Sequence, residues 1–187
     1  MSSRSSADVA VDASTDAAGL TALVVEVANA EVLLRPDPGH RHVRVRAMPT
    51  EASSAPPPAL EQGAFSVESS GSRLQVASET APASAATWRR LHRTTSAVRL
   101  VIDLPSHLRV SARLPGGHLS VEGLNGALDV TAHGGGVTAR ALGGPVEASG
   151  SGVALAIEEA TAPVNVQWTN GPVTLAAVKR PLTLKTQ

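Results

Sequence analysis

The sequence contains no cysteine, which excludes disulfide frameworks, thiolate metal sites, iron–sulfur clusters and thiol catalysis together. Aromatic residues are scarce: Trp88, Trp168 and Phe65 make up 2% of the chain, and there is no tyrosine. Recognition of single-stranded nucleic acid or sugar by stacking therefore has little to work with. Long apolar runs are also missing. Runs such as Ala22 to Val25 fall far short of the roughly 20 residues that span a bilayer, so no membrane insertion is expected. Net charge is absent too, with 16 Lys+Arg against 16 Asp+Glu. What is present is 42% hydrophobic residues in a chain of 187, enough for one folded domain with a core of its own.

The charge is unevenly spread. Residues 1–34 hold one Arg against five acids, residues 35–113 eleven Arg against six acids, and residues 114–187 four basic against five acidic residues. The basic middle includes Arg41, Arg44 and Arg46, and then Arg89, Arg90 and Arg93. A nucleic-acid footprint requires a far more basic domain, so solvated strand and loop faces are the expected reading.

Residues 1–19 are rich in Ser, Ala and Asp and carry no apolar run of signal-peptide length. They read as a disordered tail, and the expected location is cytoplasmic. Residues 49–62 contain three consecutive prolines, Pro56 to Pro58, which forbid helix and ladder hydrogen bonds and predict a long loop. Residues 78–96 read as a second long loop, with one helical turn at Trp88–His92. Between these segments lie short alternations: Leu23–Val25–Val27, Glu31–Leu34, Val43–Val45, Phe65–Val67, Leu74–Val76 and Val98–Leu100–Ile102–Leu104. Each predicts a strand with one buried face. No segment shows a helical period.

From Gly117 the chain repeats itself. Units begin at residues 117, 126, 136, 144, 152, 162, 171 and 180, a mean spacing of nine residues and about eighteen when taken in pairs. Their alternating apolar residues are Leu119/Val121, Leu128/Val130, Val137/Ala139, Val146/Ala148, Val153/Leu155/Ile157, Val164/Val166/Trp168, Val173/Leu175 and Leu182/Leu184. Glycine opens six of the eight units and is expected to supply positive-φ turns. Such a repeat is either a meander of hairpins or the half-coils of a β-solenoid. Only Asn125-Gly126 and Asn170-Gly171 suit two-residue hairpins, and the inward residues are small, as a thin coil requires. The expected fold is thus an all-β parallel solenoid spanning residues 20–187 as a single domain, with a β-sandwich or meander as the alternative. Lys179, Arg180, Pro181 and Lys185 on the last unit are devices that oppose edge-to-edge growth.

Leu100 to Ala176 resembles a widespread bacterial family of adhesin-like domains of unknown function. The resemblance rests on Ile102-Asp103-Leu104-Pro105, Leu108-Arg109-Val110, the run Gly117-His118-Leu119-Ser120-Val121-Glu122-Gly123-Leu124-Asn125-Gly126, and Asn170-Gly171-Pro172-Val173-Thr174-Leu175. Residues 20–99 look like the family's variable N-terminal strands. The resemblance implies a right-handed β-helix or β-roll and no catalytic residues. Many relatives are exported or follow a membrane segment.

Candidate chemistry is thin. His40-Arg41-His42 could offer two imidazoles on one strand face, although Arg41 and Arg44 would repel a cation. His118 and His133 sit near turns, where a pair across adjacent coils is conceivable. Glu122, Asp129, Glu147, Glu158 and Glu159 read as scattered one per unit apart from one adjacent pair, and alternation would send Glu158 and Glu159 to opposite faces. Gly150-Ser151-Gly152 lacks the strand–turn–helix context of a nucleophile elbow. Gly134-Gly135-Gly136 lacks the Lys-Ser/Thr of a phosphate cradle. Both read as turns at coil corners. No catalytic, cofactor-binding or metal-ligating residue is assigned, and no cofactor is expected. The expected function is a non-catalytic structural or interaction domain contacting a protein, a second copy or a wall polymer. The rivals are a polysaccharide-acting β-helix enzyme and a polymer-forming cytoskeletal scaffold; nucleic acid is disfavoured as a partner.

Overall fold

The computed structural model describes residues 11–50, 65–78, 98–179 and 181–186. The proposed loops 49–62 and 78–96, with the helical turn at Trp88–His92, lie outside these residues apart from Pro49, Thr50 and Ser78. Among these residues there are fourteen strands: β1 (Val11–Asp16), β2 (Ala22–Glu26), β3 (Ala30–Asp37), β4 (His42–Pro49), β5 (Phe65–Ser70), β6 (Arg73–Ser78), β7 (Val98–Pro105), β8 (Arg109–Pro115), β9 (Gly117–Glu122), β10 (Leu128–Leu142), β11 (Val146–Ala160), β12 (Val164–Thr169), β13 (Val173–Ala176) and β14 (Leu182–Thr186). No helix occurs among the described residues. The protein is all-β, and its strands join one 14-stranded sheet of mixed orientation.

Two ladders run through that sheet. One passes through β5, β6, β2, β8, the first leg of β10, the first leg of β11, β12 and β14. The other passes through β1, β4, β7, β3, β9, the second legs of β10 and β11, and β13. Pairing is antiparallel at β1–β4, β4–β7 and β5–β6 and parallel elsewhere. From β8 onward the register is constant. Val110 faces Leu128, which faces Val146, Val164 and then Leu182, so the chain returns to the same place every eighteen residues. The second ladder keeps the same offset, as in Leu119, Val137, Leu155 and Val173.

Alternation explains the core. In β12, Val164, Val166 and Trp168 are buried, while Gln167 between them is exposed. Inward side chains of both ladders form one hydrophobic cluster, from Leu20 through Trp168. Trp168 stands in register with Gly150 and Ala132. A methyl group at Gly150 would press on the Trp168 ring, so the small residues beneath make room for the large one. Gly150 is therefore an inward position rather than a corner turn, which corrects the sequence reading. The indole Nε1 donates to the Val153 carbonyl at 2.9 Å, meeting the hydrogen-bond need of a buried tryptophan.

Three other expectations change. Residues 11–16 are strand, not tail: β1 pairs with β4, and Arg44 donates to Asp12 through Nε at 2.9 Å and Nη2 at 2.6 Å. An edge strand with a wet face needs few apolar residues, so its Ser/Asp composition hid it. Glycine at the unit starts acts through space more than through φ. At Gly144 φ is not positive, but a Cβ there would collide with the Gly126 carbonyl of the layer below. Finally, β10 and β11 are single bent strands of 15 residues rather than pairs of separate units.

Candidate functional site

The bends between the ladders stack as columns. Gly123, Ala141, Glu159 and Ala177 recur at the eighteen-residue offset, and all have φ between 52° and 85°. Beside them the backbone bonds repeat: Asn125 N–H donates to Ser106, Gly143 to Leu124, Thr161 to Leu142 and Lys179 to Ala160, all at 2.8–3.0 Å. Asn125, Gly143, Thr161 and Lys179, with Ala141, Glu159 and Ala177, line an open cleft of about 450 Å³.

The left-handed residue at Glu159 breaks strand alternation, and the predicted opposition of Glu158 and Glu159 fails for that reason. Both carboxylates reach Arg140, Glu158 at 3.8 Å and Glu159 at 3.2 Å. The Glu159 hydrogen bond raises the Arg140 guanidinium above its ordinary pKa. The acids read as scattered are in fact aligned by the register. Glu122, Arg140 and Glu158 are consecutive strand neighbours, as are Asp129, Glu147 and Asn165. The Asn165 Oδ1 is buried without a hydrogen-bond partner.

The remaining sequence candidates are not drawn together. His40 precedes β4, with Nδ1 3.4 Å from the Leu104 carbonyl, and His42 opens β4 opposite Asp16. His118 neighbours Gly136 and His133 neighbours Pro115, so the two imidazoles are not strand partners. His133 Nδ1 instead lies 3.0 Å from the Ser151 hydroxyl at the bend of β11. Gly134 and Gly135, both at positive φ, form the equivalent bend of β10. Within the basic middle, Arg44 is paired with Asp12 and Arg46 with Asp103. Arg89, Arg90 and Arg93 lie outside the described residues. No helix among the described residues is long and apolar enough to cross a membrane.

The fold has a solved counterpart. The structure is similar to the crystal structure of a "putative cell adhesion protein" from Clostridium sporogenes, with a TM-score of 0.61 at 8% sequence identity, covering 89% of this chain and 98% of that one. At that identity the likeness concerns fold alone. No protein-family profile matches the sequence, and no curated protein matches it.

The feature that sequence reading missed lies at the C-terminal margin. Leu182 and Leu184 continue the core columns of Val164 and Val166, yet they are 44% and 45% exposed, the large hydrophobic residues that stand out on the described surface. In the described sheet β14 pairs only with β12, and β13 only with β11. Val173 and Leu175 are half-buried for the same reason. Lys179 and Lys185 flank this margin, and neither belongs to an ion pair among the described residues.

Proposed function

We propose that this chain is an adhesin-like β-solenoid, a non-catalytic scaffold whose rigid stack presents surfaces to a protein partner. The observation that carries this reading is the constant eighteen-residue parallel register on both ladders over a shared core. A hairpin meander would pair successive units antiparallel at an offset near nine, so the register favours a coil. Outer-face charges support a structural role. Glu26 pairs with Arg113, Glu31 with Arg99, Asp103 with Arg46, and Glu158 and Glu159 with Arg140. The similarity in fold to a protein described as a cell adhesion protein is in keeping with an interaction role.

Duplication of residues 126–143 tests the architecture. A solenoid accepts one more coil, stays cooperatively folded by circular dichroism, and lengthens by about 4.8 Å in small-angle scattering. Loss of cooperative unfolding on insertion would refute it. The rival reading, a polysaccharide-acting enzyme, draws on one observation, the register contact of Asp129 with Glu147. Polysaccharide cleavage by the purified protein that vanishes in both Asp129→Asn and Glu147→Gln would replace the scaffold with that enzyme.

A further inference from the structure

We infer that the C-terminal margin is a strand-acceptor site for a partner protein, and that the segment it takes is extended, apolar at alternate positions and acidic between them. The inference rests on the scaffold reading and names that scaffold's partner class.

Three observations converge on it. First, β14 offers one edge without a partner in the described sheet, and such a backbone edge is a template for a further strand. Second, the side chains along that edge have the right alternation. Leu182 and Leu184 stand in the inward columns and are nearly half exposed, whereas Thr183 and Lys185 continue the outward rows of Asn165 and Gln167. A strand laid beside β14 with apolar residues at every second position would cover both leucines as each earlier layer covers the one before it. Third, the unmatched charge at this end is positive. Lys179 and Lys185 have no ion-pair partner among the described residues, whereas Glu158 and Glu159, one layer back, are both engaged by Arg140. Lys179 sits at the corner between β13 and β14, and Lys185 on the outer face of β14.

The same charge decides against a second copy as the occupant. End-to-end docking of two chains would set Lys179 and Lys185 of one against the same lysines of the other, and like-charge juxtaposition penalises a wrong partner. An acidic strand turns that penalty into complementarity. The opposite margin differs: there β1 and β4 run antiparallel, and Arg44 and Arg46 are already matched by Asp12 and Asp103.

The test uses the full chain and two synthetic decapeptides, one alternating Glu with Val and one alternating Lys with Val. Amide shifts are followed by NMR in low salt. The Glu peptide is expected to bind saturably, with shifts confined to residues 173–186, and the Lys peptide at least about tenfold more weakly. In the double variant Lys179→Glu/Lys185→Glu the preference should reverse. In Leu182→Asp/Leu184→Asp, which alters only exposed side chains, binding should be lost with the melting temperature retained. Failure of the Glu peptide to bind, indifference to charge reversal, or shifts elsewhere on the sheet overturns the inference. A dimer in sedimentation that disappears with Leu184→Asp also overturns it and gives the margin to a second copy. Any of these results leaves the scaffold reading standing if the coil duplication folds, so the two can fail separately.

Discussion

The two margins of the sheet solve the same problem differently. At the N-terminal margin the ladders end in antiparallel strands, and Val43, Val45 and Ala47 of β4 are buried. Ion pairs tie that margin together, Asp12 to Arg44 and Asp103 to Arg46. At the C-terminal margin the regular parallel register stops, and Leu182 and Leu184 meet solvent in columns that are buried one layer earlier. The difference shows that burial here belongs to a layer's neighbour as much as to its own residues. A residue of given type and strand phase is core only if another layer follows.

The sharpest way to break this comparison is a pair of substitutions in one column. Val166 is fully buried and its neighbour Leu184 is 45% exposed. Val166→Asp should cost several kcal/mol, on the order of a domain's whole stability, because the carboxylate would be buried without a partner. Leu184→Asp should cost less than about 1 kcal/mol, as surface changes do. Urea denaturation of both variants measures the contrast, and equal losses would mean that the C-terminal margin is covered. Gln167→Asp, one residue from Val166 but facing outward, should stay within about 0.5 kcal/mol.

The next effect separates two uses of glycine. Gly144→Ala should destabilise by more than about 1 kcal/mol, since the added methyl strikes the Gly126 carbonyl of the layer below. Gly152 has open space around it and φ of +66°, so Gly152→Ala pays only left-handed strain of roughly 1 kcal/mol. Comparable melting temperatures for the two would remove the close-approach explanation.

A third effect, of similar size, lies at the N-terminal margin. Asp103 and Arg46 are 18% and 26% exposed, and they meet through the Arg46 Nη2, while the Arg46 Nε is buried without a hydrogen-bond partner. Asp103→Ala should cost about 1.5–3 kcal/mol, the usual loss for a hydrogen bond to a charged group. Full additivity of Asp103→Ala and Arg46→Ala in a double-mutant cycle would show that the pair does not interact.

The smallest effect is one of pH. The Arg44 hydrogen bond holds the Asp12 carboxyl below its ordinary value of 3.8, with the nearby charges of Arg44 and Arg46 adding to it. A carboxylate depressed in the folded state stabilises fully at neutral pH, and that contribution fades as pH falls below the ordinary value. Amide protection in β1, corrected for the intrinsic exchange rate at each pH, should therefore fall as the pH drops below about 4 in the native protein, more than protection in β14 does. In Asp12→Asn the β1 rates should already be raised at neutral pH and lose that extra acid response. Identical pH profiles for the two proteins would dissociate the ion pair from strand docking.

Much of the later half was legible because local rules and tertiary contacts agree there. Val164, Val166 and Trp168 were read as inward from alternation, and the paired period of about eighteen reappears as the register itself. Legibility failed where one residue departs from the local rule. The left-handed bend at Glu159, φ 58°, lets both Glu158 and Glu159 reach Arg140, and Gly150 became an inward residue because Trp168 needed the space. Strand β1 was missed because its apolar demand is slight.

The order of the early strands had no sequence signal. Strand β2 lies between β6 and β8, with Leu23 facing both Leu74 and Val110, and β3 lies between β7 and β9. The sequence by itself determined the all-β class, the strand phases and the eighteen-residue return, because these follow from side-chain period and chain length per layer. Tertiary structure alone decided which layer sits at each margin, since that depends on contacts between residues far apart in the chain. It therefore also decided that Leu182 and Leu184 stand half exposed in columns where Val164 and Val166 are buried.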